Sequence, residues 1–349
     1  MSLTIDPDIR RATTLPAEVY ASSEWYERLR ERVLARTWHY VADAGAVDER
    51  ERVLPCTLLD RCLDEPLVLT RDARGSLHCL SNVCTHRGNL VAVEAGAAQG
   101  LRCRYHGRRF ALDGRFVSMP EFDGVEAFPT PADDLPRVPM AQLDRFVFAS
   151  AAPVAPFDEV VAPVRQRAQE LLGPMQHAPE RSRDYEIEAS WLLYCDNYLE
   201  GFHIPFVHAG LAATVDYGSY RTETFRWGTL QIADARPGED AFPGGIAAYY
   251  FFLFPATMLN FYPWGLSINA VRPLGPHRTR VSFLTYVRDA SRLAVGAGAD
   301  LHRVEMEDEA VVQAVQRGVR SRFYRHGRYS PTRETGVHHF HRLLAEVAG

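Results

Sequence analysis

A chain of 349 residues, 46% of them hydrophobic, can bury a substantial core, and its length favours two domains. The formal net charge of −5 leaves no large basic field, which argues against nucleic acid or an anionic membrane surface as a partner. The N-terminal MSLTIDPDIRRATTLPAEVY lacks the apolar centre of a signal peptide, and no apolar run is long enough to cross a bilayer, so a cytoplasmic protein is expected.

Residues 22–36, SSEWYERLRERVLAR, read as a helix with a serine N-cap and Leu29 and Val33 at i, i+4 spacing. From about 37 to 150 the chain offers short β-like runs broken every ten or so residues by Gly, Asp and Pro, the pattern of a small antiparallel β domain. The Ala/Pro-rich ASAAPVAPFDEVVAPV (149–164) reads as a connection. A helix is then expected near 191–204, aromatic strands between 246 and 288, and a helix over 300–324 with Asp300 as its N-cap. Strands grouped between helices predict an α+β fold. The expected division is an N-terminal helical segment (1–36) packing on the C-terminal domain (151–349), with the β domain (37–150) between them in sequence. VGAGAD (295–300) lacks the third glycine and the βαβ context of a dinucleotide loop.

Two stretches of the β domain concentrate ligand-type residues: SNVCTHRGN with Cys84 and His86, and LRCRYHGRRF with Cys103 and His106. Sixteen residues separate His86 from Cys103. Two cysteines and two histidines could close a tetrahedral zinc site, but zinc motifs usually group like ligands together. Here each loop gives one thiolate and one imidazole. That mixture suits a Rieske [2Fe–2S] cluster, with two cysteines on one iron and two histidines on the other and a potential of roughly −150 to +300 mV. Gly88 and Gly107 follow the histidines, where tight ligand loops need a residue without Cβ. The remaining cysteines, Cys56, Cys62, Cys79 and Cys195, have no framework-like spacing and read as small buried residues in a reducing compartment.

A second metal site is written in CDNYLEGFHIPFVH (195–208). Glu200 and His203 stand at i, i+3 on one helical face, and Pro205 is expected to kink or end the helix so that His208 turns back towards His203. Two imidazoles and a carboxylate with open positions make the facial triad of non-haem Fe(II) oxygenases. Four acids in VEMEDEA (304–310) compete for the carboxylate. Leu301, Val304, Val311, Val312, Val315 and Val319 form one apolar stripe, and Asp308 falls at its centre; Glu307 and Glu309 point about 100° away on either side and Glu305 about 60°. A carboxylate inside an apolar stripe is costly unless paired or metal-bound, which selects Asp308, with a buried structural salt bridge as the alternative.

At these residues the chain resembles the Rieske non-haem iron oxygenases. CTHRGN…CRYHG is similar to their cluster loops and lacks the extra cysteine pair of respiratory Rieske proteins; Arg108 stands where the family often has Trp, which puts the local packing in question. Asn197, Glu200, His203 and His208 match the family motif N-x-x-(D/E)-x-x-H-x-x-x-x-H. The resemblance covers essentially the whole chain and implies a Rieske domain followed by a helix-grip catalytic domain. The stretch DNYLEGFHIPFVH looks most like the choline and carnitine monooxygenase branch. It further implies a homotrimer in which the bridging acid, Glu200 by motif position, joins His203 to His106 of the next chain.

The expectation is therefore an oxygenase component that hydroxylates a small organic substrate with O2, and the resemblance implies monohydroxylation next to a quaternary nitrogen, a cation that aromatic rings can hold. The chain carries no dinucleotide or flavin fingerprint, so electrons from NAD(P)H must come through a separate reductase. Aromatic-ring dioxygenation is the nearest alternative, and a Rieske electron carrier with an inert C-terminal domain is the alternative of another class. HHFH (338–341) reads as surface or packing histidines, and the basic RGVRSRFYRHGR (317–328) as a solvated face, with a reductase contact as the alternative. If the register runs unbroken past Pro255, Tyr250, Phe252, Asn260 and Tyr262 share one face of the aromatic strands, and some line the substrate pocket.

Overall fold

A computed structural model describes residues 3–349. The Ser22 hydroxyl accepts from the backbone N–H of Glu24 (3.1 Å) and Trp25 (3.4 Å) and starts the helix Ser23–Arg32. That helix ends four residues before the expected boundary. Buried Val33 and Leu34 turn the chain inward, and Leu34–Arg36 winds as a tighter 3₁₀ turn. The chain then divides into two compact units: Ala35–Val154, and the segment up to Leu34 together with Ala155–Gly349.

In the first unit Glu65–Arg71 lies between Arg52–Leu58 and Leu77–Ser81, with Gly96–Ala97 on the outer edge of Arg52–Leu58. A second sheet orders His39–Asp43, Phe146–Ala149 and Met140–Leu143, and a third Leu101–Arg102, Arg109–Phe110 and Phe116–Ser118. All pairings are antiparallel. Val68, Leu80, Leu101, Phe110, Leu112 and Leu135 form one apolar cluster that includes Cys84 and Cys103. The Ala/Pro-rich stretch is irregular only from Ser150 to Pro156. Beyond it, acidic Asp158 and Glu159 favour a first helical turn, and Phe157–Ala168 is helical despite Pro163.

The second unit is built on an antiparallel meander of Val215–Phe225, Gly228–Ala235, Ile246–Leu253, Thr257–Tyr262, Gly265–Gly275 and Arg278–Val287. Gln176–His177 and Arg183–Ile187 both pair with the last strand. Every residue of Thr257–Tyr262 is buried, so both faces of the sheet are covered there. Tyr250 pairs with Asn260 across the turn that holds Pro255, so the expected parity is kept. Phe252 has the same parity but packs on Tyr198 and Phe340 instead of lining the pocket.

Three helical expectations are corrected. The helix begun at Trp191 ends at Tyr198, because the Glu200 carboxylate takes the backbone N–H groups of Phe202 and His203 and closes a turn in its place. Pro205 opens the short helix Ile204–Val207, where a missing N–H costs nothing, instead of ending one. The helix Leu301–Gly318, capped by the Asp300 carboxylate on Arg303 N at 3.0 Å, stops six residues before position 324. Its buried residues are Glu305, Val312 and Gln316, while Val315 is 42% exposed, so the inward face is rotated from the apolar stripe. Polar pairing decides the rotation: Glu305 accepts from the Tyr194 hydroxyl and Gln316 from Ser190 N. Of the HHFH histidines, His338 and His341 are buried and all three bond internal groups, so they are packing residues. Among the described residues no helix is long and apolar enough to cross a membrane.

Candidate active site

The two Cys/His loops share one backbone frame. Gly88 N donates to Cys84 O and Gly107 N to Cys103 O, both at 3.0 Å; Cys84 N reaches Asn89 O at 2.8 Å and Cys103 N reaches Arg108 O at 2.9 Å. Gly88 (φ 74°) and Gly107 (φ 75°) take the left-handed conformation that each closure needs. The frames place Cys84 and Cys103 in the apolar core, 3% and 2% exposed, and leave the imidazoles of His86 and His106 half-buried, their centroids 4.7 Å apart.

Burial pushes the Cys84 thiol up; at Cys103 hydrogen bonds from Tyr105 N and the Asn89 amide (3.5 Å) outweigh burial and hold the thiol below its ordinary range. A tetrahedral zinc site would gather all four donors within about 4 Å of one another. Among the described residues, the only three or more such donors within 4.8 Å of one another are His203, His208 and Asp308. The loop donors thus do not converge on one ion. Paired buried thiols and paired outward imidazoles fit two irons with unlike ligands.

Arg108 is 2% exposed. Its guanidinium lies 4.9 Å from the ring centroid of Phe116 and 5.5 Å from that of Phe128, and bonds Asp133 Oδ1 at 2.7 Å. A planar cation packed among aromatic rings and neutralised by a carboxylate is accommodated at this buried position.

The second centre is assembled by the Trp191–Tyr198 helix, the turn after it and the Leu301–Gly318 helix. Asp308 Oδ1 lies 3.0 Å from His208 Nε2, 3.5 Å from His203 Nε2 and 2.6 Å from Asn197 Nδ2, which donates to it. The imidazole centroids are 5.0 Å apart. Each ring's other nitrogen is held by a carboxylate: His203 Nδ1 by Glu200 at 2.7 Å and His208 Nδ1 by Glu307 at 2.8 Å. Both Nε2 atoms therefore face one carboxylate, while both Nδ1 atoms are held from behind, an arrangement that orients metal-binding histidines. Burial alone would depress His208, but Asp308 and Glu307 hold it above its ordinary range; His208 and Arg303 hold Glu307 below its own.

A cavity of about 100 Å³ opens on these groups, with Tyr194, Tyr198, Tyr220, Tyr250 and Tyr262 in its wall. Tyr250 and Tyr262 meet edge to face, 5.9 Å between centroids. The phenols are neutral: burial raises all five.

The structure thus brings Asn197, Glu200, His203, His208 and Asp308 together, and separately Cys84, His86, Cys103 and His106. Sequence reasoning weighed Glu307 and Glu305 only as metal ligands and missed the contacts they make, Glu307 with His208 and Glu305 with Tyr194. Arg303 four residues before Glu307 marked that acid as ion-paired; for Glu305 no local signal existed, since its partner Tyr194 is 111 residues away.

Residues 37–129 match the Rieske [2Fe-2S] domain family, and residues 175–349 the ring hydroxylating alpha subunit (catalytic domain) family. The chloroplastic choline monooxygenase of Arabidopsis thaliana is 30% identical over 97% of this chain and 84% of its own length. The carnitine monooxygenase oxygenase subunit of Escherichia coli (strain K12) is 29% identical over 97% and 94%. A solved quaternary ammonium Rieske monooxygenase, described for carnitine oxidation and inter-subunit electron transfer, superposes with a TM-score of 0.82 at 25% identity, covering 99% of this chain and 97% of that one.

Proposed function

Because the chain belongs to the Rieske non-haem iron oxygenases, as an oxygenase (alpha) subunit, we propose that it monohydroxylates a small quaternary ammonium substrate beside the nitrogen. The observation that carries this reading is the tyrosine-walled cavity against the two-histidine, one-carboxylate centre. Neutral rings attract a cation that has no N–H to donate, and a carbon bonded to that nitrogen is then held next to the metal site. A carbinol formed there breaks down to an aldehyde and an amine.

On this reading Cys84, Cys103, His86 and His106 hold the cluster, and His203, His208 and Asp308 hold the iron. The chemistry these groups supply when bound is one-electron transfer and dioxygen activation. The residues around them set geometry. Glu307 and Glu200 fix the imidazole planes, Asn197 fixes the Asp308 carboxylate, and the tyrosines exclude water from the reacting carbon. A separate reductase supplies NAD(P)H-derived electrons, and a cytoplasmic homotrimer places Glu200 between His203 and His106 of the next chain. The relatives that act on choline and carnitine support the substrate class.

The test is O2 consumption with a surrogate reductase and a substrate panel of choline, L-carnitine, γ-butyrobetaine and naphthalene. Substrate-dependent uptake with release of an amine and an aldehyde is expected for a quaternary ammonium compound. A cis-diol from naphthalene, with no uptake on the cations, would overturn the substrate class.

A further inference from the structure

One acid of the cavity has no part in holding metal. Glu305 lines the cavity one helical turn before Asp308 and is 2% exposed. Its Oε2 accepts the Tyr194 hydroxyl at 2.8 Å, and its buried Oε1 has no hydrogen-bond partner. Leaving a buried carboxyl oxygen without a partner is costly, and buried acids are ordinarily paired with a cation. Here the protein offers none, because no Lys or Arg stands among the residues lining the cavity. The other two acids of the wall are committed, Glu200 to His203 and Asp308 to both imidazoles. The cavity therefore carries one acid in excess of its own cationic partners.

We propose that Glu305 is the counter-charge for the substrate's cationic nitrogen, so that the cavity selects a quaternary ammonium over an uncharged molecule of the same shape. This rests on the substrate class inferred above and assigns its charge selectivity to one residue. Burial raises the Glu305 carboxyl well above its ordinary range, which favours the protonated acid while the cavity holds no cation. Tyr194 donates to Oε2, which leaves the proton on Oε1. A cation entering the cavity favours the carboxylate; the Oε1–H bond breaks, the electron pair stays on oxygen and the proton leaves to solvent.

Calorimetric titration of the oxidised holoenzyme with choline, γ-butyrobetaine and 3,3-dimethylbutan-1-ol, the uncharged carbon isostere of choline, tests this. Each titration is run in phosphate and in Tris, whose different ionisation enthalpies count the protons exchanged. At least one quaternary probe should bind with proton release, and the isostere should bind far more weakly. Glu305→Gln keeps the shape and the bond to Tyr194; it should weaken the cation about thirtyfold or more and abolish the release, with the isostere, both metal contents and the cluster spectrum unchanged. Cation affinity and preference retained in Glu305→Gln would overturn the counter-charge and leave the substrate class standing. Wild-type protein that binds neither quaternary probe, or binds the isostere equally well, would overturn both. Should the variant fail to hold its metals, wild-type proton exchange decides: binding without release overturns the proposal.

Discussion

Replacing Glu307 with alanine removes the carboxylate 2.8 Å from His208 Nδ1 and leaves Nε2 facing Asp308 at 3.0 Å. His208 is 1% exposed, so the ring keeps its position but loses its orienting partner. Carboxylates behind metal-bound histidines are worth about 10- to 100-fold in metal affinity. Glu307 is a quarter exposed and shares its charge with Arg303 at 3.1 Å, which places the expected loss at the lower end, about tenfold. Because the imidazole must be neutral to bind metal, affinity rises with pH up to the His208 pKa. Loss of Glu307 lowers that pKa, so the variant's affinity should level off at lower pH than the wild type's. The assay is anaerobic equilibration in graded Fe(II)–chelator buffers, with iron counted beyond that of the cluster. Unchanged affinity would refute the orienting role. A site emptied by Glu307→Ala but filled in Asp308→Ala would show that the metal lies on the Nδ1 side of His208.

Cys84→Ala and His106→Ala should each abolish the Rieske-type EPR signal of the reduced protein while Fe(II) binding at the second centre persists; a signal surviving in both would remove the cluster assignment. Glu200→Gln should retain both metal centres and slow oxidation of the pre-reduced cluster in a single turnover with O2 and substrate, and a wild-type rate would speak against a bridging acid. In thermal unfolding, Glu305→Gln should gain stability over wild type as pH rises. A carboxyl with a raised folded pKa binds more protons folded than unfolded, so its native form weakens above the unfolded pKa near 4.5 and recovers below it; equal pH profiles would contradict a protonated acid. Gly298→Ala should destabilise the C-terminal unit by lowering its melting temperature, since a Cβ there would stand 2.3 Å from Trp264 Nε1 and 2.8 Å from the Tyr262 ring.

The residues that could be read from the chain are those whose chemistry is local. Cys84, His86, Cys103 and His106 announce themselves by spacing and by the glycines that follow, and the Glu200–His203 pair survives although the predicted helix stops at Tyr198, because a three-residue turn brings the same side chains together. Asp308 arrives where it was expected by a different route. The apolar stripe that selected it is not the buried face, since Val315 is exposed and Glu305 and Gln316 lie inside. That rotation depends on Tyr194 and Ser190, whose positions hydrophobic periodicity does not encode. The strands Val215–Phe225 and Gly228–Ala235, which carry Tyr220 and Gln231 to the cavity, lacked the aromatic density that marked their neighbours.

The two glycine-closed loops bear on how the four ligand-type side chains are presented. In each, a cysteine, a glycine and paired backbone hydrogen bonds complete the turn, although the histidine sits two positions after Cys84 and three after Cys103. The peptide chain itself therefore fixes the frame, and the cysteine and histidine side chains are carried on it. Zinc fingers differ: there the metal supplies the folding free energy. Here backbone hydrogen bonds and two glycines close the loops, so the inner thiols and the outer imidazoles are presented by the fold of the β domain.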